Sequence, residues 1–465
     1  MRLKTKFTVL IFILFFNCPA FSKNIAVIPF QNITGDKEKN WIGAGFSETL
    51  TTKLVKVKEL TVLERQQLPK ILEEIKFQYS GAVDEKTAVE KGKLLGADVM
   101  VFGAFQVIGD KLKITARFVD VETRKVIDTA EADGNISDIF KLQDEIAFSL
   151  MNSLKIVLGE KEKEEIKINP TENLTAYEWF SRGYESYTLK LYNKAIKYYT
   201  KAIEINPKLA EAFNNRGIAY SEKGLYTKAI EDYTKATQIN PKDAEVYYNR
   251  GLAYNSKKLY DEAIKDYTRV IQIKPKDADA YFNRGFAYDG KGLYDNAIED
   301  YTKAIQINPK DVAACYNRGL AYGKKGLYDK AIEDYTKAIQ LNSKLADAYC
   351  NRGLTYDKKD LYNEAIEDYT KAIEIKPKDA ELYYNRGIAY GKKGIKNILY
   401  TDNAIADFTK AIQIKPKNAK AYVGRGASYA KKGLSELCVS DWKKATDLGN
   451  EQARQYLKKF FNIDY

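Results

Sequence analysis

The chain has 465 residues, long enough for more than one domain, with 45% hydrophobic and 30% charged residues and a formal net charge of +12. It has no histidine and four cysteines, which removes serine-histidine-aspartate triads, histidine-based zinc sites, the commonest general base and any disulfide framework. No Walker loop and no GxGxxG after a strand occurs, so neither catalytic residues nor a metal nor a cofactor is expected, and the reading is of a non-enzyme.

Residues 1–22 carry a basic start (Arg2, Lys4, Lys6), an apolar run from Phe7 to Phe16 and Ala20-Phe21-Ser22 as a small-x-small cleavage site. This is the pattern of a secretory signal, too short for a membrane span. Cys18, in "FFNC", adds lipidation as a second reading. The expected setting is the periplasm or the periplasmic face of the outer membrane. The lysines are spread through loops such as "NPKD" and "KPKD" rather than gathered, so with export no nucleic acid is expected, and anionic envelope material is the better match for the charge.

Residues 23–158 alternate periods. A buried strand is predicted at Ile25 to Phe30, a helix with Ile42, Phe46, Leu50 and Leu54 on one face, a strand at Leu60 to Leu63, a helix at Val89 to Leu95 and a strand at Asp98 to Phe105. Leu112, Ile114, Ala116 and Phe118 alternate with polar residues as a half-exposed strand does, and Ile139, Leu142, Ile146, Leu150 and Leu154 mark a long helix. This is an α/β domain. Its phrases "IAVIPFQNITGD", "LTVLERQQLPKILEE" and "SGAVDEKTAVEKGKLLGADVMVFGAF" resemble the CsgG family of curli secretion proteins and, more distantly, the amino-terminal domain of TolB. The resemblance implies docking or homo-oligomerisation at the outer membrane. The long membrane hairpins of that family find no room in Asp98 to Asp133, so a channel is not expected. Residues 159–175, "GEKEKEEIKINPTENLT", are charged, contain Pro170 and read as a short linker or frayed helix end.

From 176 to 452 eight segments repeat one 34-residue pattern, starting at 176, 210, 244, 278, 312, 346, 380 and 419, the seventh carrying five extra residues around Ile395 to Leu399. A fixed period of this size means that each unit is one supersecondary element whose apolar face must be covered by its neighbours. Gly217, Gly251, Gly285, Gly319, Gly353 and Gly387 allow close helix approach, as do Ala229, Ala263, Ala297, Ala331, Ala365 and Ala404. Tyr233, Tyr267, Tyr301, Tyr335, Tyr369 and Phe408 are expected to fill the space between units, and Pro207, Pro241, Pro275, Pro309, Pro377 and Pro416 to stop the second helix. The pattern resembles the tetratricopeptide repeat (TPR). The resemblance implies an all-α superhelical solenoid following the α/β domain, with first helices lining a concave groove that holds a peptide or partner protein.

Where the family usually has an apolar residue, every unit has an arginine, and in the unmodified units after the first an aspartate stands sixteen residues on, with Asp407 displaced by the insertion in the seventh. Burying a guanidinium is costly unless it is paired, so ion pairs are expected for Arg216 with Asp232, Arg250 with Asp266, Arg284 with Asp300, Arg318 with Asp334 and Arg352 with Asp368, and likewise for Arg386 with Asp407 and Arg425 with Asp441. Arg182 alone lacks the partner, having Tyr198 instead. The residue before each arginine is Asn215, Asn249, Asn283, Asn317, Asn351 and Asn385. By the resemblance these look onto the groove and grip a peptide backbone, with Tyr248, Phe282, Tyr316 and Tyr384 beside them; the alternative is that the asparagines bridge neighbouring first helices and the rings only pack. Cys315, Cys350 and Cys438 sit at packing positions, and residues 453–465 form a capping helix with Tyr456, Leu457, Phe460 and Phe461 on one face. The protein reads as an envelope scaffold that binds a partner protein or extended peptide, or alternatively as part of a secretion or assembly machine whose α/β domain forms rings.

Overall fold

The computed structural model describes residues 22–63, 85–394 and 399–465. The signal segment with Cys18, the phrase after Leu63 and most of the insertion lie outside the described residues. The chain divides into two units, residues 1–246 and 247–465.

In the first unit a six-stranded sheet has the order β3 (Leu60–Val62), β1 (Lys23–Val27), β4 (Val99–Ile108), β5 (Lys111–Asp120), β6 (Val126–Asn135), with β2 (Gln31–Asn32) also paired to β4. β1 runs parallel to β3 and β4, with Ile25 opposite Val99, and β4, β5 and β6 form an antiparallel meander. Alternation sends Ile25, Val27, Val99 and Val101 to one face, where α1 (Trp41–Leu54) and α3 (Ile139–Ser153) cover them. Ala26, Ile28, Met100 and Phe102 face the other side, against Ala88, Val89 and Leu95 of α2 (Glu85–Leu95). Burial on both faces explains the near-continuous apolar runs of β1 and β4. β4 turns into β5 through Gly109 and Asp110, with Gly109 at φ 63°, and five residues join β5 to β6, so no long hairpin leaves this meander. Among the described residues no helix is long and apolar enough to cross a membrane.

The segment expected as a short linker or frayed helix end contains a helix, α4 (Glu160–Lys167). The Glu162 carboxylate accepts from the Gly159 amide, Ile166 is fully buried, and its end is tied to α1: Lys53 Nζ donates to the carbonyl of Ile166 at 2.7 Å, to Asn169 Oδ1 at 2.9 Å and to Asp144 Oδ1 at 2.7 Å. Three donors meet three acceptors, which is what permits an ammonium with no exposed surface. The helix pairs follow directly, α5 (Leu174–Thr188) with α6 (Tyr192–Ile205) and α7 (Ala210–Glu222) with α8 (Tyr226–Ile239). One hydrophobic core runs from β1 and α1 through Tyr177, Phe180 and Tyr199 to Leu209.

α9 (Ala244–Ser256) crosses the division, and the second unit continues with α10 (Tyr260–Ile273), then the pairs α11 (Ala278–Gly290) with α12 (Tyr294–Ile307), α13 (Val312–Lys324) with α14 (Tyr328–Leu341), α15 (Ala346–Lys358) with α16 (Tyr362–Ile375), α17 (Ala380–Lys393) with α18 (Leu399–Ile414) and α19 (Ala419–Lys431) with α20 (Ser435–Asp447). α11, α13 and α19 start on the N-caps Asp277, Asp311 and Asn418, whose side chains accept from the amide three residues on, whereas α7 and α15 start at Leu209 and Leu345 with no side-chain cap. The turn to the second helix needs one residue in the left-handed region, supplied by Gly224, Gly292, Gly326 and Gly433 but by Lys190, Lys258 and Asp360 in three units. The buried tyrosines sit against the glycine of their own unit, where a Cβ on Gly319 would lie 2.8 Å from the Tyr335 ring, and they also reach the next unit, Tyr267 packing with Ala287 and Tyr369 with Ala389. Leu399, the last residue of the insertion, opens α18 and makes it sixteen residues long where α16 has fourteen. α21 (Glu451–Phe461) covers Trp442 with Leu457 and Tyr456, while Phe460 stays 59% exposed and so is not part of the buried face.

Candidate functional site: the open face of the first helices

The second helices fix the first ones through a repeated polar node. Arg318 Nε and Nη2 each donate to the Asp334 carboxylate at 2.7 Å, and Nη1 donates to Thr302 Oγ1 of the preceding unit at 2.9 Å. The same two-pronged pair joins Arg216 to Asp232, Arg250 to Asp266, Arg284 to Asp300, Arg352 to Asp368, Arg386 to Asp407 and Arg425 to Asp441. The hydrogen bond to Asp334 holds the Arg318 guanidinium above its ordinary value, whereas burial lifts the Asp266 and Asp300 carboxyls against the pull of their arginines. The threonine was missed from the sequence, although the recurrent Tyr-Thr pair of the second helix carried the signal. It makes the nodes of Arg216, Arg284, Arg318, Arg352, Arg386 and Arg425 joints between successive repeats, and Thr302 itself donates to the Ile298 carbonyl.

With these joints facing the second helices, the opposite face of each first helix is presented outward at spacing i, i+4, i+7. On α11 it reads Asp279, Asn283, Phe286; on α13 Ala313, Asn317, Leu320; on α15 Asp347, Asn351, Leu354; on α17 Glu381, Asn385, Ile388. Phe286 is 44% and Leu354 38% exposed. These four apolar residues were not singled out from the sequence; the three-residue spacing from each asparagine was the available signal.

The asparagines differ. Asn283 Nδ2 donates to Tyr248 Oη at 3.0 Å and to the Asp279 carbonyl at 2.9 Å, and Asn351 Nδ2 to Tyr316 Oη at 2.8 Å and the Asp347 carbonyl at 2.9 Å. Asn317 has only the Ala313 carbonyl, at 2.9 Å, because Phe282 stands where the others meet a hydroxyl. Asn385 finds only Cys350 Sγ at 4.0 Å. Burial pushes the Cys350 thiol up to about 11, so at neutral pH it is a protonated, weak acceptor and a poor nucleophile. Neighbouring first helices are therefore bridged through a hydroxyl at two of these four sites and by a weak thiol contact at a third. The rings Tyr248, Phe282, Tyr316 and Tyr384 pack in tilted or edge-on pairs on Tyr267, Tyr301, Tyr335 and Phe408 of their own units at 5.7–6.0 Å between centroids.

Asn215 and Asn249 depart from the expected groove position, being 4% and 3% exposed. Asn215 Nδ2 donates to Glu48 Oε1 of α1 at 3.2 Å. In the first repeat the corresponding face, Tyr177, Ser181 and Tyr184, is covered by the α/β domain: Tyr177 Oη meets Thr49 Oγ1 at 3.2 Å and accepts from Gln143 Nε2 at 2.6 Å, and a Cβ on Gly45 would lie 2.0 Å from Ser181 Oγ. Arg182, lacking its aspartate, turns to Glu178 at 2.9 Å and to the Glu38 carbonyl and carboxylate at 3.0 and 3.3 Å. The one exception in the arginine series is thus a clamp between the first repeat and the α/β domain.

The helix-pair segments match the TPR repeat over residues 183–224, 219–258, 251–292, 361–394 and 401–433, and the tetratricopeptide repeat over 278–311 and 312–345. The chain is a tetratricopeptide repeat protein. Residues 16–109 match the curli production assembly/transport component CsgG. Among curated proteins it is 28% identical over 196 residues to putative adenylate cyclase 3 of Rhizobium meliloti (strain 1021), 41% of this chain and 31% of the relative, so the chain spans about a third of that relative's length. Similar solved structures include MamA, 34% identical over 37% of this chain and 94% of that one with a TM-score of 0.36, and YrrB, described as a TPR protein with an unusual peptide-binding site, 27% identical over 40% and 94% with a TM-score of 0.36.

Proposed function

We propose that this TPR protein is a non-enzymatic scaffold that holds an extended segment of a partner polypeptide on the outward face of α11, α13, α15 and α17. The carrying observation is internal to the chain. The positions that bury α1 in the first repeat, at Tyr177, Ser181 and Tyr184, are occupied in the later repeats by amides and by exposed Phe286 and Leu354. Carboxamides offer donors and an acceptor to any peptide group, and the apolar stripe beside them supplies desolvated contact. Several weak, repeated contacts suit an extended guest.

The setting proposed is the bacterial envelope, on the signal pattern of residues 1–22 and the CsgG match, with the α/β domain docking or oligomerising there. The test uses the full mature chain to capture proteins from envelope extract, alongside a Phe286→Asp/Leu354→Asp variant. Loss of capture with unchanged melting supports the face; capture by the variant equal to that of the parent rejects it. A second reading, a ring-forming part of a secretion or assembly machine, rests on the same CsgG match, and mass photometry decides it: a closed ring of defined size favours the machine, a monomer or dimer the scaffold.

A further inference from the structure

The four outward amides are not equivalent, and their difference has a period of two repeats. Tyr248 and Tyr316 place a hydroxyl against Asn283 and Asn351, so both N–H groups of these carboxamides are spent within the chain. Phe282 has no hydroxyl to offer Asn317, which keeps one N–H unused. Cys350 offers Asn385 a sulfur at 4.0 Å and no oxygen, a weak contact beside an ordinary amide hydrogen bond. Among the described residues no donor reaches the carboxamide oxygen of any of the four.

Resting on the peptide-holding role, we propose that the guest backbone is gripped at every second repeat, by Asn317 and Asn385, with Asn283 and Asn351 acting as fixed spacers that contribute an acceptor alone. In an extended chain a residue points its own N–H and C=O to the same side, and only a carboxamide with both an open acceptor and an open donor can answer both. The guest class is therefore an extended segment whose main-chain amides are free. Apolar side chains on it would meet Phe286, Leu320, Leu354 and Ile388, and basic ones would meet the exposed carboxylates Asp279, Asp347 and Glu381. The specificity lies in the preceding repeat, 35 residues before each site, in whether position 282, 316 or 350 carries a hydroxyl.

The experiment measures binding of a lysine-flanked, fluorescein-labelled peptide of alternating leucine and serine to the full mature chain by anisotropy, with an N-methylated version as the second probe. Asn317→Ala and Asn385→Ala should each weaken binding roughly tenfold, and Asn283→Ala and Asn351→Ala about twofold or less. Phe282→Tyr, which keeps the ring packing on Tyr301, should act like Asn317→Ala by occupying the spare N–H; Tyr316→Phe should tighten binding by freeing one on Asn351. Equal losses at all four asparagines, or no effect of Phe282→Tyr, would overturn the alternation while leaving the face as a binding surface. Equal binding of the N-methylated peptide would overturn the backbone grip. Absence of binding by the parent chain would sink the peptide-holding role itself, and this proposal with it.

Discussion

The arginine nodes illustrate how one residue type can be both costly and necessary. Arg318 has 18% and Asp334 8% of its side chain exposed, so neither charge is well hydrated, and removing one partner strands the other. Asp334→Ala should cost about 3 kcal/mol, the range for a broken buried pair. Because an array of repeats need not unfold in two states, the suitable readout is hydrogen exchange across α13 and α14: unchanged protection there would count against the node. A milder effect concerns the turns. Lys258 sits at φ 59° where Gly292 and Gly326 serve other units, and an L side chain in the left-handed region costs about 1 kcal/mol. Lys258→Gly should raise stability by that amount, seen as slower exchange in α10; a destabilised variant would show that the lysine side chain contributes more than its backbone strain.

At the scale of elements, the first six helix pairs are each closed by a tyrosine ring laid on a glycine, with Phe408 and Trp442 in the last two, and each tyrosine carries a phenol into the core. Tyr301 is 1% and Tyr335 2% exposed, and burial, followed by the nearby carboxylates, raises Tyr301; burial followed by Tyr316 and Asp334 raises Tyr335. Tyr177, buried beside Thr49 and Gln143, is pushed up to about 12 by burial. A tyrosine whose folded value lies above its unfolded one contributes stability that is fully present below the ordinary value near 10 and is lost as pH rises through the folded value. The protein should therefore weaken in alkali, by on the order of 1 kcal/mol per ring. Phe408 already fills this place in α18, so Tyr301→Phe/Tyr335→Phe should be well tolerated and should flatten the fall in melting temperature between about pH 8 and pH 11. Parallel pH profiles for parent and variant would mean the phenols do not drive the loss.

For the molecule as a whole, the α/β domain and the first repeats share one core, joined by Tyr177, Phe180 and the Glu38–Arg182 clamp. A chain begun at Ala176 leaves Tyr177 and Phe180, each at most 1% exposed in the intact protein, without cover. Such a fragment should bind a hydrophobic dye and lose amide protection in α5, while α13 to α16 keep theirs. Equal protection of α5 in fragment and full chain would show that the repeats close without the α/β domain. Binding studies are accordingly better done on the intact chain.

Period and composition alone were enough for the helix pairs, because a 34-residue repeat leaves each unit with one apolar face and one way to cover it. The pairing of arginine with aspartate was legible for the same reason: a charge recurring at a buried position needs an opposite charge recurring at a fixed distance. Other features depended on neighbours distant in sequence. β6 escaped notice since only Ala130 and Ala132 of its ten residues are buried, and its strand state comes from the ladder offered by β5. The helix at Glu160–Lys167 reads from sequence as a linker or frayed helix end because Ile166 is its one buried apolar residue and the lysines that hold its carbonyls, Lys53 on α1 and Lys56 just after it, lie more than a hundred residues away. The asparagines look alike in the sequence, yet Asn215 is buried by Glu48, Asn283 is satisfied by Tyr248 and Asn317 keeps a donor open. Local pattern determines which residues a repeat contains; which of their hydrogen-bonding groups remain for a partner is decided only when the chain folds back on itself, since the competing donors and acceptors come from other elements.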